Sequence, residues 1–389
     1  MAGSSEGLAR LGGRLRLLAL AVLAVSASVL TGAPPAAAQA VRVTDLAGHE
    51  VVLAQPARRI VLGAWVSLDA LSLLHPDPVG LLAGWAEGGA NAIQPAILRD
   101  KFPTIDQVPV VGRGAFEAIS LEAVIAQNPD LVLLSRFDAY GYGGEAAPGI
   151  AKLEAAGIQV AVVDFFLDPL QNTEPSLRIL GKLIGREDQA EAFIRLYRER
   201  LDRIVTRLAR LGDDRPSVFL HAFAARSDCC FSAGPGTIDG FIRQAGGLNI
   251  GAEMIAGPVG QLSLEFVLSR NARFYVATGI SEVTEPGSFA LGPGVTSQQA
   301  ANGFARLLAR KDLAALEAVV RRRAFGLWHL FVHTPVHIVA VERIAKWLHP
   351  EIVTDIDPQE TLQEINSRFL AAPLVGTFWV STSKSGVAP

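Results

Sequence analysis

Between Arg186 and Arg210, apolar residues recur at Ala190, Phe193, Ile194, Tyr197, Leu201, Ile204, Val205 and Leu208. The spacing predicts one amphipathic helix of about seven turns, a rod of about 37 Å. Gly212 lies just beyond it, where a glycine can close a helix in the left-handed conformation. An ordinary surface helix of one large domain would show the same spacing. Strand–helix alternation resumes after Gly212, however, and that favours a strut between two α/β halves.

The chain opens on Val41 to Leu53, two alternating runs around an Ala-Gly turn, which reads as a β-hairpin. Short apolar runs then alternate with amphipathic stretches. Arg59 to Leu62, Val79 to Ala83, Val108 to Val110, Leu131 to Leu134 and Val160 to Val163 read as strands. Val66 to Leu74 and Gly149 to Ala156 read as helices. After the strut, Ser217 to Leu220 and Phe274 to Thr278 read as strands. Thr237 to Ala245, Phe304 to Leu308 and Val336 to Leu348 read as helices. This order predicts parallel sheets with right-handed crossovers. No repeat of about 20–50 residues is visible, so solenoids and propellers are excluded.

A chain of 389 residues accommodates two domains, and an apolar share of 50% against 19% charged rules out wholesale disorder. The net charge of −3 argues against a nucleic-acid partner, which needs clustered positive charge. At the start, Arg10, Arg14 and Arg16 precede the small and apolar run Leu17 to Leu30 and a patch of small residues ending at Ala40. That is the layout of a secretory signal peptide, with cleavage after Ala38 or Ala40. The apolar run is short for a membrane span. No cysteine follows it to take a lipid. An exported, periplasmic location is expected.

Catalytic signatures are missing: GxSxG, Walker A and HExxH do not occur. Gly234-Pro-Gly-Thr-Ile-Asp-Gly240 has the wrong spacing for a dinucleotide loop, and Pro235 removes a backbone donor. His329, His333 and His337 stand four apart and would share one face of a continuous helix. Pro335 disfavours that continuity, so contact or structural roles are preferred to a metal site. The neighbouring Cys229 and Cys230 are either reduced thiols in a loop or a vicinal disulfide.

Ligands of open parallel sheets sit beyond the carboxyl ends of the strands. The segments after the expected strands carry Trp65, Trp85, Arg113, Arg136, Tyr140, Tyr142 and Arg226, and Trp328 and His329 open the histidine segment. Aromatic faces with guanidinium groups suit a bulky, partly aromatic anion.

Four segments carry a family resemblance. They are Val43-Thr-Asp-Leu-Ala-Gly-His-Glu-Val-Val-Leu53 with Pro56-Ala-Arg-Arg-Ile-Val61; Ser120-Leu-Glu-Ala-Val-Ile-Ala-Gln-Asn-Pro-Asp-Leu-Val132; Ser232-Ala-Gly-Pro-Gly-Thr-Ile-Asp239 with Ala245-Gly-Gly-Leu-Asn249; and Trp328-His-Leu-Phe331 through Thr334-Pro-Val-His337 to Glu342-Arg-Ile-Ala-Lys-Trp-Leu-His-Pro350. In this order the chain resembles the class III substrate-binding proteins of ABC importers, which carry ferric siderophores, haem or vitamin B12. The Cys-Cys pair and His337 have no place in that pattern.

The resemblance implies two Rossmann-like α/β lobes bridged by one rigid helix, with the ligand between them. The expected organisation is a signal peptide at 1–38, an N-terminal lobe at 41–185, the helix at 186–211, a C-terminal lobe at 213–372 and a loose tail at 373–389. The resemblance also implies that Glu122 and Glu265, each in a Ser-Leu-Glu segment, dock arginines of an inner-membrane ABC permease with its ATPase. Each glutamate alone could equally favour the dipole of a first helical turn. The expected protein is a monomer without catalytic activity, metal of its own or cofactor, and an iron chelate is its transported ligand. Haem, cobalamin or a metal ion is the alternative cargo. A receptor-feeding sensor and an exported hydrolase are more distant readings.

Overall fold

The computed structural model describes residues 40–87, 95–113, 118–212, 214–224, 226, 229–281 and 288–382. The expected signal segment, its cleavage positions after Ala38 and the last residues of the tail lie outside these.

A hairpin of β1 (Val41–Thr44) and β2 (Glu50–Leu53) leads into five strands: β3 (Ile60–Leu62), β4 (Leu82–Glu87), β5 (Val110–Arg113), β6 (Leu131–Ser135) and β7 (Gln159–Val163). They form one parallel sheet in the order β5-β4-β3-β6-β7. Alternate residues of these strands enter separate cores. Ile60, Leu62, Leu131, Leu133, Ala161 and Val163 face one side. Val61, Val132, Leu134, Val160 and Val162 face the other. Side chains that alternate across a strand and are apolar on both faces require layers on both sides of the sheet.

The second sheet is built from β8 (Ser217–His221), β10 (Leu248–Asn249), β12 (Phe274–Gly279), β14 (Ala324–Trp328) and β16 (Trp379–Ser381), in the order β10-β8-β12-β14-β16. Four strands are parallel and β16 is antiparallel to β14. Short pairs of β9 (Phe231–Ala233) with β11 (Val259–Gln261) and β13 (Gly292–Pro293) with β15 (Gly376–Thr377) flank it.

The strut is the helix Glu187–Leu208, and Gly212 comes after it with φ 56°. Phe193, Ile194, Tyr197 and Ile204 are buried in a core that also contains Ile60 and Leu133 of the first sheet and Phe219 and Val276 of the second. Val205, expected on the apolar face, is exposed. Ion pairs Arg178–Glu191, Arg200–Glu364 and Arg207–Asp355 hold the helix to both sides of the molecule.

Several elements depart from the sequence reading. A helix at Pro169–Leu183 precedes the strut. Pro175 inside it and its polar first turns hide its period. Residues 79–81 form a 3-10 turn ahead of β4, and the strand expected at Val108–Val110 starts at Val110 instead. The tail is not loose from Pro373: β16 pairs with β14, and Phe378 is buried. Without β16, β14 would present an unpaired edge. Arg343 also lies over the Trp379 ring at 4.3 Å. Among the described residues, no helix is long and apolar enough to cross a membrane.

Candidate functional site

Strand order locates the site. In the first sheet the chain reverses direction between β3 and β6, and in the second between β8 and β12. A crevice opens at the carboxyl ends of strands flanking such a reversal. The residues just beyond those strand ends decide what the crevice can bind.

After β7, Asp164 is fully buried and its carboxylate organises the turn. It accepts the amide protons of Phe166 (2.9 Å), Leu167 (2.8 Å) and Asp168 (3.0 Å) and the Asn172 side-chain amide (2.7 Å). This turn presents Phe166. Its ring stacks on His333, in the turn after β14 of the other sheet, at 4.2 Å with 17° between planes, and receives Phe137 edge-on at 5.5 Å. Phe137 in turn meets Tyr142 at 4.9 Å. On the far side, His333 is 6.3 Å from His329, which packs against Phe223 at 3.7 Å. A row of rings thus runs from Tyr142 to Phe223 and crosses from one lobe to the other at Phe166–His333.

Charge flanks this row. Arg136 is exposed and comes directly after β6, opening a short helix in which the Ser135 hydroxyl accepts the Asp138 amide proton. Arg226 is exposed just past Phe223. Burial pushes His329 down to about 3 and His333 down to about 4, so both rings are neutral near pH 7. Tyr142 is exposed, and partial desolvation raises its phenol above the usual value.

The other expected residues are scattered along the same edge or away from it. Trp65 lies after β3, half-buried against the core. Tyr140 is half-buried and hydrogen-bonds His49 at 3.3 Å. Trp85 lies within β4 rather than after it, and Arg113 pairs with Glu87 (2.9 Å) on the outermost strand. Trp328 is a correction. Its side chain is completely buried, edge-on to Phe331 (5.1 Å) and Phe378 (5.3 Å). Gly292 lies against it: a Cβ there would come within 2.4 Å of its Nε1. Trp328 is therefore core.

The three histidines do not share a face. Thr334 is extended ahead of Pro335 and separates two 3-10 turns. His337 enters the core, where Tyr197 of the strut donates its hydroxyl proton to Nε2 (2.9 Å) and the Thr334 carbonyl accepts the Nδ1 proton (2.8 Å). Removing the donor with Tyr197→Phe strands a buried acceptor. That is expected to cost about 1–3 kcal/mol, read as a lower denaturation midpoint at unchanged slope. An unmoved midpoint would show that the pair adds nothing. Among the described residues, no group of three or more His, Cys, Asp or Glu could hold a metal ion. Cys229 and Cys230 are joined as a vicinal disulfide in the segment after β8, with Cys230 fully buried.

Sequence reasoning reaches the strand-end segments that carry Phe137 and Phe223 without singling these rings out, and it misses Phe166 and Thr278. Phe166 is findable, because it stands only three residues beyond a strand end.

Two glutamates remain. Helices Leu121–Ala126 and Leu264–Arg270 are each capped by a serine, Ser120 or Ser263, which accepts the amide proton of Ala123 or Phe266 (3.1 Å each). Glu122 and Glu265 are exposed in their first turns. Each helix runs back to begin a parallel strand, so each glutamate lies at the carboxyl edge of its sheet. Its own backbone amide and the Ser120 hydroxyl hold the Glu122 carboxyl below its usual value.

Two parallel-sheet lobes whose carboxyl edges meet across one shared helix define a two-lobe solute-binding protein. The chain belongs to the periplasmic binding protein family, whose model matches residues 71–323. Members are periplasmic solute-binding proteins that deliver small ligands to ABC permeases and are not enzymes.

Solved structures agree in fold. A TroA-like periplasmic binding protein, FepB from Veillonella parvula, superposes with a TM-score of 0.76 at 24% identity, covering 88% of this chain and 100% of that one. The molybdate-binding protein MolA of Haemophilus influenzae gives 0.65 at 14% identity, covering 86% and 99%. A periplasmic haem-binding protein of Pseudomonas aeruginosa gives 0.55 at 20%, covering 84% and 99%. No curated protein matches the sequence.

Proposed function

We propose that the protein captures a metal chelate, foremost a ferric siderophore, between its lobes and hands it to an ABC permease. The observation that carries this reading is the row of rings from Tyr142 to Phe223, flanked by Arg136 and Arg226. Flat apolar faces beside exposed guanidinium groups suit an aromatic, anionic chelate. Trp65, which follows β3, extends the wall along the same edge. In this reading iron stays inside its chelate.

A second reading, haem or an imidazole-bound metal, is favoured by His333. Neither of its ring nitrogens is hydrogen-bonded to a described residue, and the ring is neutral.

A tryptophan-fluorescence titration separates the two. The panel holds ferric catecholate, hydroxamate and carboxylate siderophores, haem, cobalamin, and free zinc and iron. Saturable quenching by a ferric chelate, weakened at least about tenfold by Arg136→Ala or Phe166→Ala, is the expected result. A response to haem or bare metal alone, lost in His333→Ala, selects the second reading. Silence across the panel overturns both.

For delivery, the positions of Glu122 and Glu265 at the two carboxyl edges support permease docking. The double reversal Glu122→Arg, Glu265→Arg is expected to cut uptake of labelled chelate at least about tenfold by setting like charges against each other. Chelate affinity in solution stays unchanged. Normal uptake by the double variant would remove the docking role.

A further inference from the structure

His329 is held from behind by a buried hydroxyl. Thr278, near the end of β12, is fully buried, and its Oγ1 lies 2.9 Å from His329 Nδ1. The same oxygen accepts the Phe223 amide proton at 2.9 Å. A threonine hydroxyl has one proton and two lone pairs.

The Phe223 amide occupies one lone pair. If His329 carried its proton on Nδ1, that N–H would take the other. The hydroxyl proton would then be buried with no acceptor among the described residues, which is the costly case for a buried polar group. If the hydroxyl donates to Nδ1, every group is satisfied, and the imidazole proton sits on Nε2. Because Nδ1 is turned to the sheet, Nε2 is turned away from it, and it makes no hydrogen bond to a described residue.

His333 is different. Its face lies on Phe166, and neither of its nitrogens is engaged by a described residue. Burial keeps both rings neutral near pH 7, so neither acts as a cation.

We propose that the two histidines have different tasks: His329 offers the ligand a fixed Nε2–H donor, positioned by Thr278, and only His333 has a free lone pair for a metal. The cargo class that fits is a chelate with a carboxylate or phenolate oxygen beside its metal. The proposal rests on the ligand-cleft reading, but its first test needs no ligand.

In uniformly 15N-labelled ligand-free protein at pH 7, long-range 1H–15N correlations are expected to show His329 protonated on Nε2. Thr278→Ser preserves that state. Thr278→Val, which deletes the hydroxyl, replaces it with a tautomer mixture. A proton on Nδ1 in the native protein overturns the proposal.

The second arm uses a ferric catecholate and ferric citrate as probes. His329→Gln keeps an N–H donor and is expected to hold affinity within about threefold, whereas His329→Leu loses about tenfold. Equal loss in both variants overturns the donor role. If neither probe binds, the cargo reading falls, and the NMR result still decides the tautomer.

Discussion

Replacing Glu342 by glutamine is expected to make the protein more stable above pH 7 and to change nothing near pH 4. Glu342 lies on the helix Ile338–Leu348, fully buried, and neither carboxylate oxygen has a well-aligned hydrogen bond to a described residue. Burial pushes it up to about 7, only partly offset by the Thr361 hydroxyl and by Arg200 and Arg203 of the strut, while Asp357 adds to the rise. A carboxyl whose folded value is raised contributes its full stability below the unfolded value near 4.5. That stability is lost as the pH rises through about 7. The gap between the two values corresponds to about 3 kcal/mol. Denaturation of both proteins at intervals from pH 4 to 8.5 should give curves that meet at the acid end and separate by about that amount. The acid-labile buried histidines act on both curves equally. Parallel curves would mean that Glu342 finds a partner when ionised.

Trp328→Ala should lower stability by about 3–5 kcal/mol, the usual cost of emptying a fully buried tryptophan site. Chelate affinity of the protein that remains folded should be unchanged, because Trp328 packs on Phe331, Phe378 and Gly292 rather than into the cleft. Urea denaturation measures the first quantity and fluorescence from the remaining tryptophans the second. Preserved stability with lost binding would return Trp328 to the ligand wall.

That residue shows where sequence reading stops. The strut and both α/β halves are legible because periodicity accumulates over many residues, and Phe193, Ile194 and Tyr197 are buried as their spacing predicts. The family, too, is readable from local segments. In a strand apolar on both sides, such as Ala324–Trp328, alternation carries no mark of which face meets ligand. The tail is out of reach for a related reason, since β16 is specified by its partner β14 and not by its own short run. Pro335 correctly announces a break among the histidines, and His337 is a core residue. The sequence offers single members of the ring row, Tyr142, His329 and by its place after a strand Phe166, but not that they adjoin. Phe137, Phe166 and Phe223 come from three separate segments, a short helix and two loops, and only the meeting of two sheet edges brings them into one row.

The strut shares one continuous core with both sheets, and this bears on how a transporter sorts its deliveries. If lobes fused through a common interior keep their relation when cargo binds, filled and empty molecules offer a permease nearly the same outline. Selection of the filled form must then come from the cleft rim itself, where cargo is visible. Empty protein becomes a competitor for the same landing place. Under that condition import rate would follow the ratio of filled to empty carrier as well as the amount of cargo, and an excess of carrier would slow the traffic it serves.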